Sequence, residues 1–129
     1  MMGGDAIVAH ARACVGARFR PHGRDPRWGL DCVGVAAAAF GREVAGDYPL
    51  RGGDPDAVSR AIAALGLRRI APDLAAAGDL VLMAAGPEQL HLAVLTERGF
   101  VHADAGLRRV VETPGRPVLA VIGAWREKR

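Results

Sequence analysis

The sequence has few cysteines, few aromatic residues and no long apolar segment. Its two cysteines, Cys14 and Cys32, cannot form a disulfide scaffold in a chain of 129 residues, and no CxxC or CxxH pair suggests structural zinc. No apolar run approaches the ~18 residues that a membrane-spanning helix requires. The first twenty residues lack a basic start followed by a long apolar stretch, so they do not resemble a secretory signal. We therefore expect synthesis in the cytoplasm and no membrane partner.

Runs of basic residues are also absent. Lys and Arg number 17 against 14 Asp and Glu, which gives a net charge of +3, and 16 of the 17 are Arg. The arginines are scattered, with no run of five or more, so a nucleic-acid-binding tract is not indicated. This charge favours encounter with polyanions more than it provides specificity. We expect no nucleic-acid partner.

The composition predicts one folded domain over residues 1–129. The chain is 50% hydrophobic and 24% charged, which excludes a disordered chain, and its length is typical of a single domain. Alanine takes 25 positions, whereas Phe, Tyr and Trp together take six. The core must therefore be built from the close approach of small side chains.

Helix signals fill the first half of the chain and strand signals fill the second. Asp5, Asp31 and Asp54 are N-cap candidates for helices over 6–17, 32–40 and 55–65, with a short turn over 72–77. Strand-forming runs separated by Gly, Pro and charged residues then follow at 78–85, 91–97, 99–105, 107–114 and 117–125. This order predicts an α+β fold with helices packed on a roughly five-stranded antiparallel sheet. We expect residues 126–129 to form a solvated end.

Cys32 stands where an irregular loop becomes a helix. A helix N-terminus presents unpaired N–H groups and a partial positive charge, and both favour a thiolate. Comparable settings lower a cysteine pKa from ~8.5 to between ~3.5 and ~7.5. The alternative is a buried structural cysteine, which is also the interpretation we give Cys14 within the first helix.

His91 and His102 fall on successive predicted strands. If Glu97 and Arg98 form a two-residue turn, the two histidines are diagonal neighbours on one face, with Cα atoms ~7–8 Å apart. One imidazole could then orient the other. A bulge at Gly99 would instead place them on opposite faces.

A cysteine at a helix start, a histidine base and a third polar group form an activated-nucleophile arrangement. In this hypothesis His91 takes the proton of Cys32, and His102 holds His91 in the useful tautomer. The N–H of Cys32 could stabilise an oxyanion. The same three side chains could alternatively bind zinc, although no two of them have short motif spacing. We predict no metal and no cofactor.

The order of these motifs resembles the NlpC family of bacterial cell-wall cysteine peptidases. That family has a loop rich in Gly and aromatics leading into an Asp-Cys helix start, then Gly-Asp-Leu opening a strand, a His beginning the next strand and an aromatic-apolar-His-Ala segment. The matching segments are GARFRPHGRDPRWGLDCVGV, GDLVLM, HLAVL and GFVHA, in that order over residues 16–103. The resemblance implies a reduced papain-like fold, Cys32 as the nucleophile, His91 as the base and His102 as the orienting residue.

Two positions depart from the family pattern. The usual Ser after the Cys is Val33, which leaves Asp31 alone to receive the free amine of a stem peptide, and a common upstream Tyr is Phe19. The short form with an apolar residue after the Cys is similar to the branch encoded with phage-tail and gene-transfer-agent genes. That likeness implies phage-like tail proteins as partners and incorporation into a particle that acts in the periplasm or cell wall.

The resulting hypothesis is a thiol hydrolase that cuts peptidoglycan stem peptides between D-Glu and the diamino acid. Asp31, Phe19, His22 and Trp28 are the predicted substrate-binding residues, with Trp28 as a plain core residue the competing interpretation. A second hypothesis, favoured by Val33 and Phe19, is a tail-assembly or wall-docking module without catalysis. A third is an amidase or acyl transferase with the same Cys-His chemistry, because such a triad fixes the reaction class better than the substrate.

Overall fold

The predicted helices and the five predicted strands occur in the expected order, and three further short strands lie before residue 72. A computed structural model describes residues 3–44, 54–86 and 89–128 of the chain. The helices of this part are α1 (Gly4–Ala13), α2 (Cys32–Phe40) and α3 (Pro55–Ala64), with a 3₁₀ turn at Pro72–Leu74. The strands are β1 (Arg24–Asp25), β2 (Gly29–Leu30), β3 (Leu67–Ile70), β4 (Leu80–Gly86), β5 (Gln89–Leu95), β6 (Gly99–Asp104), β7 (Arg109–Pro114) and β8 (Ala120–Glu127).

Six of these strands form one antiparallel sheet in the order β3-β8-β4-β5-β6-β7. The five strands predicted from the sequence are all present, and the helices lie against the sheet, so the α+β prediction is confirmed. The sixth strand, β3, was not predicted, because its sequence LRRI carries two exposed arginines and lies at a sheet edge. Edge strands of this kind lack the apolar alternation by which a strand is recognised.

Helix α2 begins and ends where its sequence indicates. The side chain of Asp31 accepts a hydrogen bond from the N–H of Gly34, which caps the first turn. Gly41 ends the helix in the left-handed conformation, with φ of 64°. Asp54 likewise caps α3 through the N–H groups of Asp56 and Ala57. Local capping chemistry thus fixes the position of Cys32 as the first residue of α2.

Helix α1 differs from its prediction at both ends. It starts after Gly3 without a side-chain cap, so Asp5 lies in the first turn instead of capping it. It ends at Ala13 because the chain turns through Gly16, whose φ is +95° and whose N–H donates to the carbonyl of Val110 on β7. Cys14 is buried beside this end, as expected for a small apolar side chain.

The C-terminal end is not a solvated tail. Arg126 and Glu127 belong to β8, and Glu127 is only 2% exposed. Its carboxylate forms an ion pair with Arg42, which follows α2. The prediction for 126–129 is therefore wrong at these two positions, because β3 pairs with β8 as far as Glu127, whereas Lys128 is exposed and residue 129 lies outside the described residues.

Small side chains let α2 lie close to the loop before it. A Cβ atom at Gly34 would come within 2.2 Å of the carbonyl oxygen of Gly23, so only glycine fits there. The buried residues Val33, Val35 and Ala39 of α2 pack in one core with Leu92 and Val94 of β5. Within the described ranges, no helix has the length and apolar character needed to cross a bilayer.

Candidate active site

Asp31 connects the loop over residues 20–30 to the start of α2. Its Oδ1 accepts hydrogen bonds from the N–H of Gly34 and from Nη1 of Arg24, both at 2.8 Å. Its Oδ2 accepts a 2.8 Å bond from the N–H of His22. Both carboxylate oxygens are therefore engaged within the chain. The predicted task of Asp31, to receive an amine of the substrate, would have to compete with the Arg24 ion pair.

Cys32 lies at the point where β5 and β6 separate. The ladder between these strands pairs Val94 with Val101 and Leu95 with Phe100. Farther along, the backbone N–H of Leu92 is directed to the sulfur of Cys32, as are the N–H groups of Val33 and of Cys32 itself. The N–H groups of the first residues of a helix are available for such bonds, because these N–H groups have no acceptor within the helix.

The pKa of Cys32 moves opposite to the prediction. Burial raises it to about 11 from an ordinary value of 9.0, and the Asp31 carboxylate adds to the rise, whereas the three backbone N–H groups lower it. The side chain is 7% exposed, so the cost of desolvating a thiolate outweighs the helix N-terminus. At neutral pH the resting side chain is a thiol.

The two histidines are joined across the gap between their strands. Nε2 of His91 lies 2.9 Å from Nδ1 of His102, and the rings meet edge to face with centroids 5.1 Å apart. The N–H of Thr96 donates to the carbonyl of Gly99, so the two-residue turn at Glu97 and Arg98 exists as predicted. The two imidazoles are in contact as expected, whereas their diagonal placement stays a prediction, because the β5–β6 ladder ends at Val94 and Val101.

The hydrogen-bond chain continues to Thr113 on β7. Its Oγ1 lies 2.9 Å from Nε2 of His102. If His102 donates from Nε2 to this hydroxyl, its Nδ1 is the acceptor for an Nε2–H of His91, and Nδ1 of His91 is then the basic nitrogen. A second set of tautomers satisfies the same contacts, because the Thr113 hydroxyl can also donate to Nε2 of His102, but only the first set leaves Nδ1 of His91 unprotonated. Thr113 was not predicted, because its position relative to His102 depends on the β6–β7 register.

Both imidazoles are neutral at neutral pH. Burial, and then proximity to His102, lowers the pKa of His91 to about 4. Burial also lowers the pKa of His102, and the Asp104 carboxylate opposes the shift for both rings. A buried neutral imidazole can accept a proton, which is the property that a general base requires.

Cys32, His91 and His102 line a single cavity of about 390 Å³. Asp31 and Phe19, two of the predicted binding residues, line it as well, together with Asp104 at the end of β6. Among the described residues, no hydrogen bond joins Cys32 to His91; such contacts often tighten only when substrate binds. Asp104 was not predicted, since a lone carboxylate at a strand end gives no sequence signal.

His22 and Trp28 are placed differently from their predictions. Neither is part of the cavity wall, and Trp28 is 65% exposed, which also excludes it from the core. The turn between β1 and β2 carries Trp28 outward, and His22 reaches the site through its backbone bond to Asp31. The sequence places both near the cleft but cannot give the direction of their side chains.

The described ranges contain no group of three or more His, Cys, Asp or Glu side chains arranged to hold a metal ion. The zinc alternative therefore has no site within those ranges.

No protein-family model matches the sequence, and no curated protein matches it. Solved structures do match. The NlpC/p60 domain of the peptidoglycan hydrolase SagA is 25% identical, with a TM-score of 0.63 over 88% of this chain and 90% of that one. The chain has the NlpC/p60 fold.

Other NlpC/p60 structures agree over most of the chain. NlpC1 from Trichomonas vaginalis has a TM-score of 0.69 at 16% identity, over 96% of this chain and 43% of that one. The peptidoglycan hydrolase RipB from Mycobacterium tuberculosis has a TM-score of 0.61 at 19% identity, over 95% of this chain and 63% of that one. These likenesses establish the NlpC/p60 architecture, and the papain-like fold expected from the sequence is confirmed.

Proposed function

We propose that the protein is a peptidoglycan hydrolase that cuts an amide bond of the stem peptide through Cys32. The observation that carries this proposal is the convergence of Cys32, His91 and His102 on one cavity, with the imidazoles 2.9 Å apart. Solved structures of the same fold include domains named as peptidoglycan hydrolases.

The first step forms a thioester. As the sulfur of Cys32 attacks the substrate carbonyl carbon, its proton moves to Nδ1 of His91, because the resting pair is a thiol and a neutral imidazole. The imidazolium keeps its Nε2–H bond to Nδ1 of His102. The N–H of Cys32, at the start of α2, donates to the oxyanion. Nδ1–H then protonates the departing amine, and the amide bond breaks.

The second step reverses these roles. Water attacks the thioester carbonyl and gives a proton to Nδ1 of His91. The tetrahedral intermediate collapses, the thiolate of Cys32 leaves, and it regains the proton from His91. The products are a carboxylic acid and an amine, and the chain returns to its resting state without any added reactant but water.

Three finer points belong to the same proposal. The scissile bond is the one between D-Glu and the diamino acid, as the family resemblance implies. The protein acts with phage-like tail proteins that carry it to the wall. It is made in the cytoplasm and works in the periplasm or cell wall after incorporation into the particle.

Turnover of purified muropeptides tests the proposal. We expect the wild-type chain to release a new amine, and we expect the cleavage rate of Cys32→Ala to be at least a thousandfold lower. Cys14→Ala is the matched control, because Cys14 is a buried cysteine outside the cavity and its removal leaves the site intact. Equal cleavage by the wild type and Cys32→Ala would remove Cys32 from the reaction. Mass spectrometry of the products identifies the scissile bond.

A second candidate is a wall-docking module that keeps the fold without catalysis. The raised pKa and the burial of Cys32 favour it, since a thiol that does not ionise is a poor nucleophile when no base assists it. Trapping with a stem-peptide analogue carrying a nitrile separates the two candidates. Formation of a thioimidate at Cys32 supports hydrolysis, whereas wall binding without adduct or turnover supports docking.

A further inference from the structure

We infer that Arg18, Arg108 and Arg109 bind a carboxylate group of the wall peptide at the edge of the cavity beside Cys32. These three residues are called the arginine rim. This role rests on the proposed function, because it names a feature of the peptide that the proposed hydrolase would select. The ligand of the rim is an anion that arrives as part of the chain that Cys32 attacks.

The backbone brings the three arginines together from two distant parts of the chain. Arg18 and Arg109 are partners in an isolated antiparallel β-bridge. The N–H of Phe19 donates to the carbonyl of Arg108 at 3.0 Å, which ties the same two segments a second time. Side chains directly opposite in an antiparallel pair have Cβ atoms ~4.5–5.5 Å apart. Main-chain contacts therefore hold Arg18 and Arg109 side by side, whatever their side chains bind.

No carboxylate of the described residues pairs with the rim. All three arginines are exposed, and their side chains form no ion pair or hydrogen bond within residues 3–44, 54–86 and 89–128. Asp104 lies opposite Arg109 in the β6–β7 ladder, but its hydrogen bonds come from the N–H groups of Gly106 and Leu107. Like charges opposite each other destabilise a strand pair, so a bound anion would remove a repulsion that the chain leaves uncompensated.

Arginines elsewhere in the chain are treated differently. Five of them form ion pairs with carboxylates, namely Arg12, Arg24, Arg27, Arg42 and Arg126. The rim thus differs from these positions in having its positive charge directed to solvent from two segments at once.

Arg108 has a backbone conformation that arginine rarely adopts. Its φ is +59°, in the left-handed region, where glycine is favoured because a Cβ atom crowds the following carbonyl oxygen. Residues held in this region cluster at ligand-binding sites, where the surrounding structure imposes the strain. No hydrogen bond or ion pair of the Arg108 side chain with the described residues accounts for a cation at this position. An anionic ligand at the rim does account for it.

The rim adjoins the wall of the proposed active site. Phe19 follows Arg18, and Gly106 belongs to the turn that ends at Arg108. Phe19 and Gly106 both line the cavity that contains Cys32. A peptide that leaves the cavity along this side therefore meets the rim next.

A carboxylate is the peptide group that fits these charges. A guanidinium group binds a carboxylate through two parallel hydrogen bonds. Asp104 lines the cavity and repels an anion there, whereas the rim attracts an anion just outside. The two charges of opposite sign thus direct a carboxylate of the substrate away from Cys32 and towards the arginines.

Three stem peptides of one sequence supply the test. The first has its carboxylates free, the second has the α-carboxylate of D-Glu amidated, and the third has the C-terminal carboxylate amidated. Binding is measured by calorimetry to the Cys32→Ala chain, which keeps the cavity and cannot turn the peptides over. We expect one of the amidated peptides to bind roughly tenfold more weakly than the first, which identifies the carboxylate that the rim binds.

Replacing Arg18 and Arg109 by Gln in the Cys32→Ala chain should remove that difference. Arg60→Gln is the matched control, because Arg60 is exposed on α3 and does not line the cavity, and it should keep the difference. Arg108→Gly is a second variant, which relieves the left-handed strain and so keeps the fold, yet it should reduce the difference. The difference should also shrink as salt rises from about 50 to about 500 mM.

Equal binding of the three peptides, or a difference that survives Arg18→Gln with Arg109→Gln, overturns the role of the rim. Cleavage by the Cys32 chain that does not distinguish the peptides would likewise reject the rim and leave hydrolysis standing. Selective binding without cleavage by the Cys32 chain would reject hydrolysis and leave the rim standing.

Discussion

Nε2 of His91 lies 2.9 Å from Nδ1 of His102, although eleven residues separate the two along the chain. The contact exists because β5 and β6 are joined by a two-residue turn and then separate, so the rings meet where the backbones no longer pair. Thr113 extends the contact by one more hydrogen bond. This chain of three side chains engages Nε2 of His91 and leaves Nδ1 as the nitrogen that is available to act as a base.

Acid should weaken the fold through His91. Its pKa is about 4 in the folded chain and ~6.5 when unfolded, so below pH 6.5 the unfolded chain takes up a proton that the folded chain does not. Stability is therefore lost as pH falls from 6.5 to 4, by roughly 2 to 3 kcal/mol. Urea unfolding at pH 7 and pH 4.5 measures the loss. His91→Gln should show a smaller drop over this interval, and an identical drop in both proteins contradicts the assignment.

Thr113→Val should disturb the tautomer of His102. The substitution keeps the shape but removes the hydroxyl that bonds Nε2 of His102, so the balance between the two tautomers of His102 changes. We expect kcat to fall roughly three- to tenfold, the value of one hydrogen bond. The ¹⁵N chemical shifts of His102 report the tautomer directly. Thr113→Ser keeps the hydroxyl and should retain both the shifts and the rate; unchanged shifts in Thr113→Val would rule out the hydrogen-bond chain.

The rate of muropeptide cleavage should be flat around neutral pH. Catalysis requires that His91 is unprotonated and that Cys32 still holds its proton. Both conditions are met between the His91 pKa of about 4 and the Cys32 pKa of about 11. The acid limb of kcat/KM should therefore fall near pH 4. Asp104→Asn removes a carboxylate that raises the pKa of His91, so its acid limb should move to lower pH. A limb near pH 6.5 would mean that His91 is exposed to solvent.

Gly34→Ala should separate α2 from the preceding loop. The added methyl would come within 2.2 Å of the carbonyl oxygen of Gly23, which is backbone and cannot rotate away. We expect a loss of about 1 to 3 kcal/mol in the free energy of unfolding, as for other overpacked sites. Gly3→Ala is the control, because its added Cβ meets nothing within 4 Å. Equal melting temperatures for the two variants would show that the loop yields without cost.

Arg42→Met should destabilise the chain strongly. It leaves the carboxylate of Glu127 buried without a counter-charge, and Oε2 of that carboxylate already lacks a hydrogen-bond partner. Breaking a buried ion pair from one side typically costs about 3 to 5 kcal/mol. Arg60→Met, on the exposed side of α3, should change the free energy of unfolding by less than about 0.5 kcal/mol. Thermal unfolding of the two variants at pH 7 compares them directly, and similar melting temperatures would argue against a stabilising pair.

Local chemistry in the sequence determined much of the fold and part of the site. Asp31 caps α2 and Gly41 ends it through contacts with near neighbours in sequence, so the bounds of α2 could be predicted from the chain alone, as could the position of Cys32 in its first turn. The turn at Glu97 and Arg98 similarly sets the register of β5 and β6 as far as Val94 and Val101, which brings His91 and His102 near each other.

Only the tertiary structure decided the protonation states and the direction of the exposed side chains. The helix N-terminus at Cys32 is a local feature, but the burial that raises its pKa comes from β5, β6 and the loop, which are distant in sequence. Thr113, Asp104 and Glu127 acquire their roles from strand pairings across many residues. Trp28 points into solvent because of the β1–β2 turn. Capping and turn preferences act between near neighbours, whereas desolvation and charge depend on everything that packs around a group.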